Sequence, residues 1–217
     1  MKKLSFLLLL LLAACTPAEE QAPMIESSEN TAQTLPQEIV VDDAVLSSVY
    51  QDYLKESNPW IQINIEGLDP MIVELFPEVA PQTVEHILSL VNDGFYADMI
   101  FHRVIESFMI QGGDPTATGA GGAGINVVGE FSANNINNPL SHGRGVMSMA
   151  RAMDYNSASS QFFIVHQNSD FLDGGYAAFG GLISGFTTLD AIATTSTVTG
   201  DRPAREIVIT SIEQINR

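Results

Sequence analysis

Hydrophobic and polar positions change their period several times along the chain. Behind Lys2 and Lys3, nine apolar residues run unbroken from Phe6 to Ala14. Residues 16–43 then carry three prolines, seven acids, no base and few large apolar side chains. Such a stretch buries too little surface to offset its ordering entropy, so it reads as a disordered acidic tether. Between 44 and 59, Val45, Val49, Tyr50, Tyr53 and Leu54 recur at helical spacing before Asn58-Pro59. That predicts a short amphipathic helical lead-in, with an edge strand as the alternative.

From Trp60 the pattern turns to period two. Trp60–Ile65 alternates as a half-buried strand, and Met71–Phe76 repeats it after the Gly67-Leu68-Asp69-Pro70 turn. Pro81 sits where a helix starts, Val84, Ile87, Leu88 and Val91 share one face, and Gly94 ends it. Short apolar segments follow at 145–150, 161–165 and 177–183, separated by Gly, Asn and Asp. A short helix is predicted at 189–194 and a closing strand at 205–215. Many short strands with two helices predict a mainly β domain over 60–217, a closed barrel with helical caps.

Composition narrows the function. The 217 residues include 26 acids and 9 Lys or Arg, a formal charge of −17, and 45% hydrophobic residues. That is ample for a core, and it fits one domain with extensions. So acidic a chain is not expected to bind nucleic acid, nor to offer a polybasic membrane patch. Cys15 is the single cysteine, so no internal disulfide and no multi-cysteine metal site exist. The run Leu12-Ala13-Ala14-Cys15 resembles a bacterial lipobox. The resemblance implies that residues 1–14 are a signal peptide and that Cys15 is lipidated (palmitate included) and becomes the mature N-terminus. Residues 15–43 would then tether the domain to a membrane. An ordinary secretory signal with a chance cysteine is the alternative. Thr16 after the cysteine favours the outer over the inner membrane, facing the periplasm.

Several motifs read blandly. Gly119-Ala120-Gly121-Gly122-Ala123-Gly124 matches G-x-G-x-x-G, but no strand precedes it and no helix follows, so it reads as a flexible surface loop. P-loop and G-x-S-x-G patterns are absent. His86, His102, His142 and His166 lack zinc spacing, so no metal and no cofactor are expected. A Ser, His and Asp meeting in space stays open.

The informative stretch is Phe101-His102-Arg103-Val104-Ile105-Glu106-Ser107-Phe108-Met109-Ile110-Gln111-Gly112-Gly113-Asp114. On a strand, Arg103, Ile105 and, beyond a kink, Met109 and Gln111 can project to one face. An arginine among apolar side chains is a snorkelling surface residue, a buried ion-pair member, or a donor aimed into a pocket. Gln111 can bond a guanidinium or an amide, and Gln161-Phe162-Phe163 adds aromatic surface. An apolar pocket with one permanently charged donor suits a neutral ligand with one polar point.

These residues, with GVMSMARAMDYNSASSQFF at 145–163, FLDGGYAAFG at 171–180, Glu74-Leu75-Phe76-Pro77 and Ala80-Pro81, resemble the cyclophilin-type peptidyl-prolyl cis–trans isomerases (rotamases) of the bacterial kind. The resemblance spans about 60–215. It implies a closed eight-stranded antiparallel β-barrel capped by two α-helices, a monomer, no cofactor, and proline-containing polypeptide clients among exported proteins. It implies that Arg103 is catalytic and that Gln111 orients it. Phe108, Met109, Phe163 and Leu172 would wall the proline slot. Ala150, Arg151, Gln161, Phe171 and Tyr176 would complete the substrate site. Arg151 stands where Asn is common, Phe171 where eukaryotic members often carry Trp, and Tyr176 where many carry His. A non-catalytic chaperone or protein-binding lipoprotein is the alternative.

Overall fold

The computed structural model describes residues 48–217. The expected signal peptide, Cys15, the tether and residues 44–47 of the lead-in lie outside the described residues.

Two helices and eleven strands follow one another in this order: β1 (Trp60–Ile65), β2 (Met71–Leu75), α1 (Pro81–Asn92), β3 (Met99–Ile100), β4 (Arg103–Ile105), β5 (Met109–Gly112), β6 (Val146–Met149), β7 (Phe162–Val165), β8 (Ala178–Ser184), α2 (Phe186–Ala193), β9 (Thr197–Val198), β10 (Arg202–Pro203) and β11 (Val208–Ile215). Nine of the strands form one antiparallel sheet in the order β3-β11-β1-β2-β8-β6-β7-β5-β4. β9 and β10 form a separate hairpin. The mainly β architecture with two helices agrees with the sequence. The closed eight-stranded barrel is not confirmed: nine strands pair in one sheet, and its two end strands, β3 and β4, follow each other directly along the chain. Only Phe101 and His102 lie between them, too few residues for a turn, so these two segments pair with other strands and not with each other. The Phe101 N–H bonds Ile207 O while the His102 N–H bonds Gln111 O, so the chain changes partner strand within two residues.

Both faces of the sheet are covered. Ile61, Ile63, Met71, Val73, Leu75, Phe162 and Ile164 fill the main core with α1 and α2. On the opposite face, Met109, Phe163 and Val165 join Tyr50, Phe76, Leu140 and Leu172 in a second cluster. Period-two alternation splits β7 between these cores, so the whole strand is buried. Each well-packed apolar side chain contributes roughly 1.5–3 kcal/mol.

Helix α1 starts at Pro81, whose missing N–H costs nothing there. Its N-cap, Ala80, has no capping oxygen. The buried Glu130 carboxylate substitutes, accepting from the Gln82 and Thr83 N–H groups at 3.0 and 2.8 Å. Helix α2 begins earlier than predicted because Gly185, at φ 93°, turns the chain directly into Phe186.

The lead-in also differs. Where an amphipathic α-helix was expected, residues 48–59 form turns and a three-residue 3-10 turn, Gln51–Tyr53. The apolar spacing serves docking instead. Tyr50 is buried, its hydroxyl donates to Leu182 O at 2.7 Å, and its ring lies where a Cβ on Gly181 would come within 2.7 Å of it. Buried Glu74 accepts from Lys55 N, Asn58 Nδ2 and Trp60 Nε1. Among the described residues no helix is long and apolar enough to cross a membrane.

Candidate active site

Strands β4 and β5 form a hairpin that pairs Arg103 with Gln111 and Ile105 with Met109. The shared face expected for these residues is therefore made across a hairpin, turning at Ser107 (φ 62°), rather than along one kinked strand. Strand β7 continues the surface, placing Phe163 beside Gln111. Side chains of these strands line a cavity of about 570 Å³. It is lined by Arg103, Phe108, Met109, Gln111, Ala150, Arg151, Phe163, Leu172 and Tyr176. Nine of the eleven expected pocket residues thus converge on one cavity.

Two lie elsewhere. Gln161 lines an adjoining cavity of about 370 Å³, together with Gln111, Ala150, Arg151, Ser157 and Ser159. Phe171 is 76% exposed, and its ring rests against Phe108 at 5.3 Å between centroids. The structure also adds residues that the sequence reading did not place in the pocket: His102, Ala117, Thr118, Gly119, Thr199, Gly200 and Arg202.

Arg103 is neither a free surface arginine nor a fully buried one. Its side chain is 40% exposed. Nε donates to Asp201 Oδ2 and Nη1 to Gln111 Oε1, both at 3.4 Å. Two of its five N–H groups are thereby used, and the other three have no protein partner among the described residues. Asp201 is 98 residues away, on a turn with φ 59°, which is why no local pattern marked it.

A relay extends from the arginine. Gln111 Nε2 donates to Gln161 Oε1 at 2.9 Å, and Gln161 Nε2 donates to the Gly119 and Gly121 carbonyls at 3.0 and 2.8 Å. Every donor points the same way, which assigns both amide orientations. The relay ends in the glycine-rich segment, a surface loop as expected, whose start is tied down by hydrogen bonds. The buried Asp114 carboxylate accepts N–H bonds from Thr116, Thr118, Gly119 and Gly121. A Cβ on Gly121 would come within 2.0 Å of Asp114 Oδ1, so only glycine allows this wrap. Burial by itself would raise the Asp114 pKa. The bonds from Thr116, Gly121 and Gly119 outweigh it and bring the pKa down to about 2.

A Ser–His–Asp arrangement does form. His142 Nδ1 lies 2.8 Å from Asp173 Oδ1 and Nε2 lies 3.0 Å from Ser148 Oγ. Burial pushes the His142 pKa down, against the hydrogen bond and charge of Asp173. A neutral ring facing a carboxylate carries its proton on Nδ1, so Nε2 accepts from the Ser148 hydroxyl. Ser148 is fully buried opposite Phe163 in the ladder, out of reach of a substrate carbonyl. The unit is therefore a prop rather than a nucleophile. The His142 ring stacks on Phe163 at 5.9 Å and 18°, fixing the pocket wall from behind.

His102 lines the cavity with 6% exposure, and neither ring nitrogen has a hydrogen-bond partner among the described residues. Burial lowers its pKa, and the Arg202 and Arg103 charges add to this while Asp114 opposes it. Among the described residues, no three His, Cys, Asp or Glu side chains cluster to hold a metal ion.

The arrangement offers an apolar slot, a guanidinium with uncommitted donors at its edge, and polar backbone nearby. Relatives share this chain's pattern. The family model described as cyclophilin type peptidyl-prolyl cis-trans isomerase/CLD matches residues 60–214. The peptidyl-prolyl cis-trans isomerase ppi1 of Schizosaccharomyces pombe is 41% identical over 144 residues, 66% of this chain and 91% of that protein. The isomerase CYP18-1 of Arabidopsis thaliana is 44% identical over 135 residues, 62% of this chain and 82% of that protein. A crystal structure of a cyclophilin type isomerase from Cryptosporidium parvum superposes with a TM-score of 0.68 at 34% identity, covering 74% of this chain and 99% of that one. The family-model match, the identity to these relatives and the shared fold together show that this chain belongs to the cyclophilin-type peptidyl-prolyl cis–trans isomerase family.

Proposed function

We propose that the domain accelerates rotation about X-Pro bonds by offering Arg103 to the twisted amide. The observation that carries this is a 40% exposed guanidinium, three of whose N–H groups have no protein partner among the described residues, lining a cavity walled in part by Phe108, Met109, Phe163 and Leu172. The C–N bond resists rotation by about 18–20 kcal/mol because of its double-bond character. Twisting localises the prolyl nitrogen lone pair, which then accepts a hydrogen bond that the planar amide cannot. A donor matched only to that geometry lowers the barrier without nucleophile, metal or base. Phe108, Met109, Phe163 and Leu172 hold the ring, and Gln111 holds the guanidinium. Ala150 and Arg151 offer main-chain contacts. Proline-containing polypeptides are the substrates of this family, and a crystal structure of the Cryptosporidium parvum relative was obtained in the presence of the dipeptide Ala-Pro.

The test is a prolyl-isomerisation assay of the full chain beside Arg103→Ala. A wild type no faster than buffer overturns the enzyme reading in favour of a binding module. A fully active variant overturns the mechanism.

The N-terminal sequence supports a location. We infer a lipoprotein of the bacterial type, anchored through Cys15, that serves exported proteins as a monomer from the periplasmic face of the outer membrane. The support is Lys2-Lys3, the apolar run 6–14 and Leu12-Ala13-Ala14-Cys15. Mass spectrometry of the mature N-terminus tests it, since an unacylated cysteine removes the anchor.

A further inference from the structure

Charge is distributed unevenly in the described residues. Residues 48–217 contain 19 acids and 7 Lys or Arg. Yet neither the main cavity nor the adjoining one is lined by a single carboxylate, while three of the seven bases, Arg103, Arg151 and Arg202, line the main one. Two of those are paired with acids: Arg103 with Asp201 and Arg202 with Glu206. Arg151 has no acidic partner among the described residues. It is also the one charged residue among those lining the adjoining cavity.

Its position is rigidly prepared. Nε and Nη2 donate to Gly175 O, and Nη1 donates to Ala152 O and, at 3.5 Å, to Met153 O. The guanidinium packs over Phe131, Tyr155 and Tyr176, 5.2, 5.0 and 4.7 Å from the ring centroids. Four of five N–H groups are used, which leaves one on Nη2. Neutral carbonyls and rings hold the group without cancelling its charge. The nearby Asp154 carboxylate is turned to the Asn156 N–H instead.

We propose that Arg151 is a specificity residue that selects clients carrying a carboxylate, Asp or Glu, beside the proline. This deepens the isomerase reading and rests on it. Arg151 stands where the two cavities meet, so a chain threaded through the proline slot brings its neighbouring side chain to the free Nη2–H. The ordering entropy of a long side chain is spent before the client arrives. Elsewhere the domain's carboxylates repel the same group, which confines the attraction to this point.

The experiment compares short peptides with Glu, Gln or Lys immediately before or after proline, using the full chain. A partly exposed charge-assisted bond predicts roughly fivefold higher kcat/KM for Glu than for Gln at one of the two positions, with Lys lowest. Arg151→Gln brings the Glu/Gln ratio to one and Arg151→Lys keeps most of it; the ratio cancels any general loss of activity. In wild type the ratio also shrinks toward one at about 1 M salt, where screening is nearly complete. Equal rates for Glu and Gln at both positions, a ratio unchanged in Arg151→Gln, or a preference indifferent to salt each overturns the proposal while leaving the isomerase reading intact. Failure to accelerate even the Gln peptides overturns both.

Discussion

Phe163 and Leu172, on one side of the cleft, belong to a core that runs from the lead-in residue Tyr50 through Phe76 to Val165. Arg103 and Gln111, on the other side, are placed by hydrogen bonds ending on a carboxylate buried under a glycine-rich loop. The apolar wall is redundant, because each side chain touches several others and none is irreplaceable in direction. The polar wall is serial, because each group takes its orientation from the next. Volume protects the first and geometry the second, so substitutions affect them differently.

The largest effect falls on the polar wall's end point. Arg103→Lys keeps the charge but loses the planar fork, and kcat/KM is expected to drop roughly 100-fold or more, as for loss of an aligned transition-state donor. Thermal unfolding should hardly move. A lysine enzyme near wild-type rate would show that charge alone suffices. Next is the apolar wall. Phe163→Ala is expected to lower stability by about 3 kcal/mol through a cavity beside His142, measured by urea unfolding. Phe163→Leu should cost less than half of that, and an equal cost would mean the wall is not redundant.

Asp114→Asn comes third. A folded pKa of about 2 against an ordinary 3.8 makes the ionised form the stabilising one. Its contribution, roughly 2 kcal/mol, is complete above pH 3.8 and lost as pH falls towards 2. The variant should lose that much stability at pH 7 and show a flatter stability profile over that acid range. An unchanged acid profile would separate the carboxylate from the loop. Gln161→Ala is fourth: roughly tenfold lower kcat/KM, about 1.4 kcal/mol, with stability nearly intact, since the relay is cut in its middle. Smallest is Phe171→Ala. Its exposed ring touches Phe108 only at the rim, so stability should change by less than about 0.5 kcal/mol. A larger loss would place Phe171 inside the wall.

The apolar wall was legible in the sequence. Alternation puts Met109 and Gln111 on one face, and the family likeness named Phe108, Phe163 and Leu172 beside them. The polar wall was half legible. Arg103 stood out as a charge in an apolar run, and Gln111 and Gln161 followed from the family likeness. Asp201 and Asp114 did not, nor did the Glu130 cap of α1, because their partners are set by loop geometry rather than by period. The lead-in shows the reverse error. Helical spacing at Val49, Tyr50 and Tyr53 was real, but Tyr50 is held by Leu182 and the gap at Gly181, so contact with the sheet overrode local propensity.

What the amino-acid order determined by itself was the strands β1, β2, β6, β7, β8 and β11 and the first helix, because periodicity acts locally, and the family, whose likeness named the residues expected to form the proline slot. Tertiary structure alone decided how the sheet ends, with the successive segments β3 and β4 pairing to β11 and to β5. It also decided which acid steadies Arg103, that the Ser148, His142 and Asp173 group is a buried prop, and that Arg151 remains uncompensated where two cavities meet. Those outcomes depend on groups brought together from distant parts of the chain, and no local pattern encodes a direction in space.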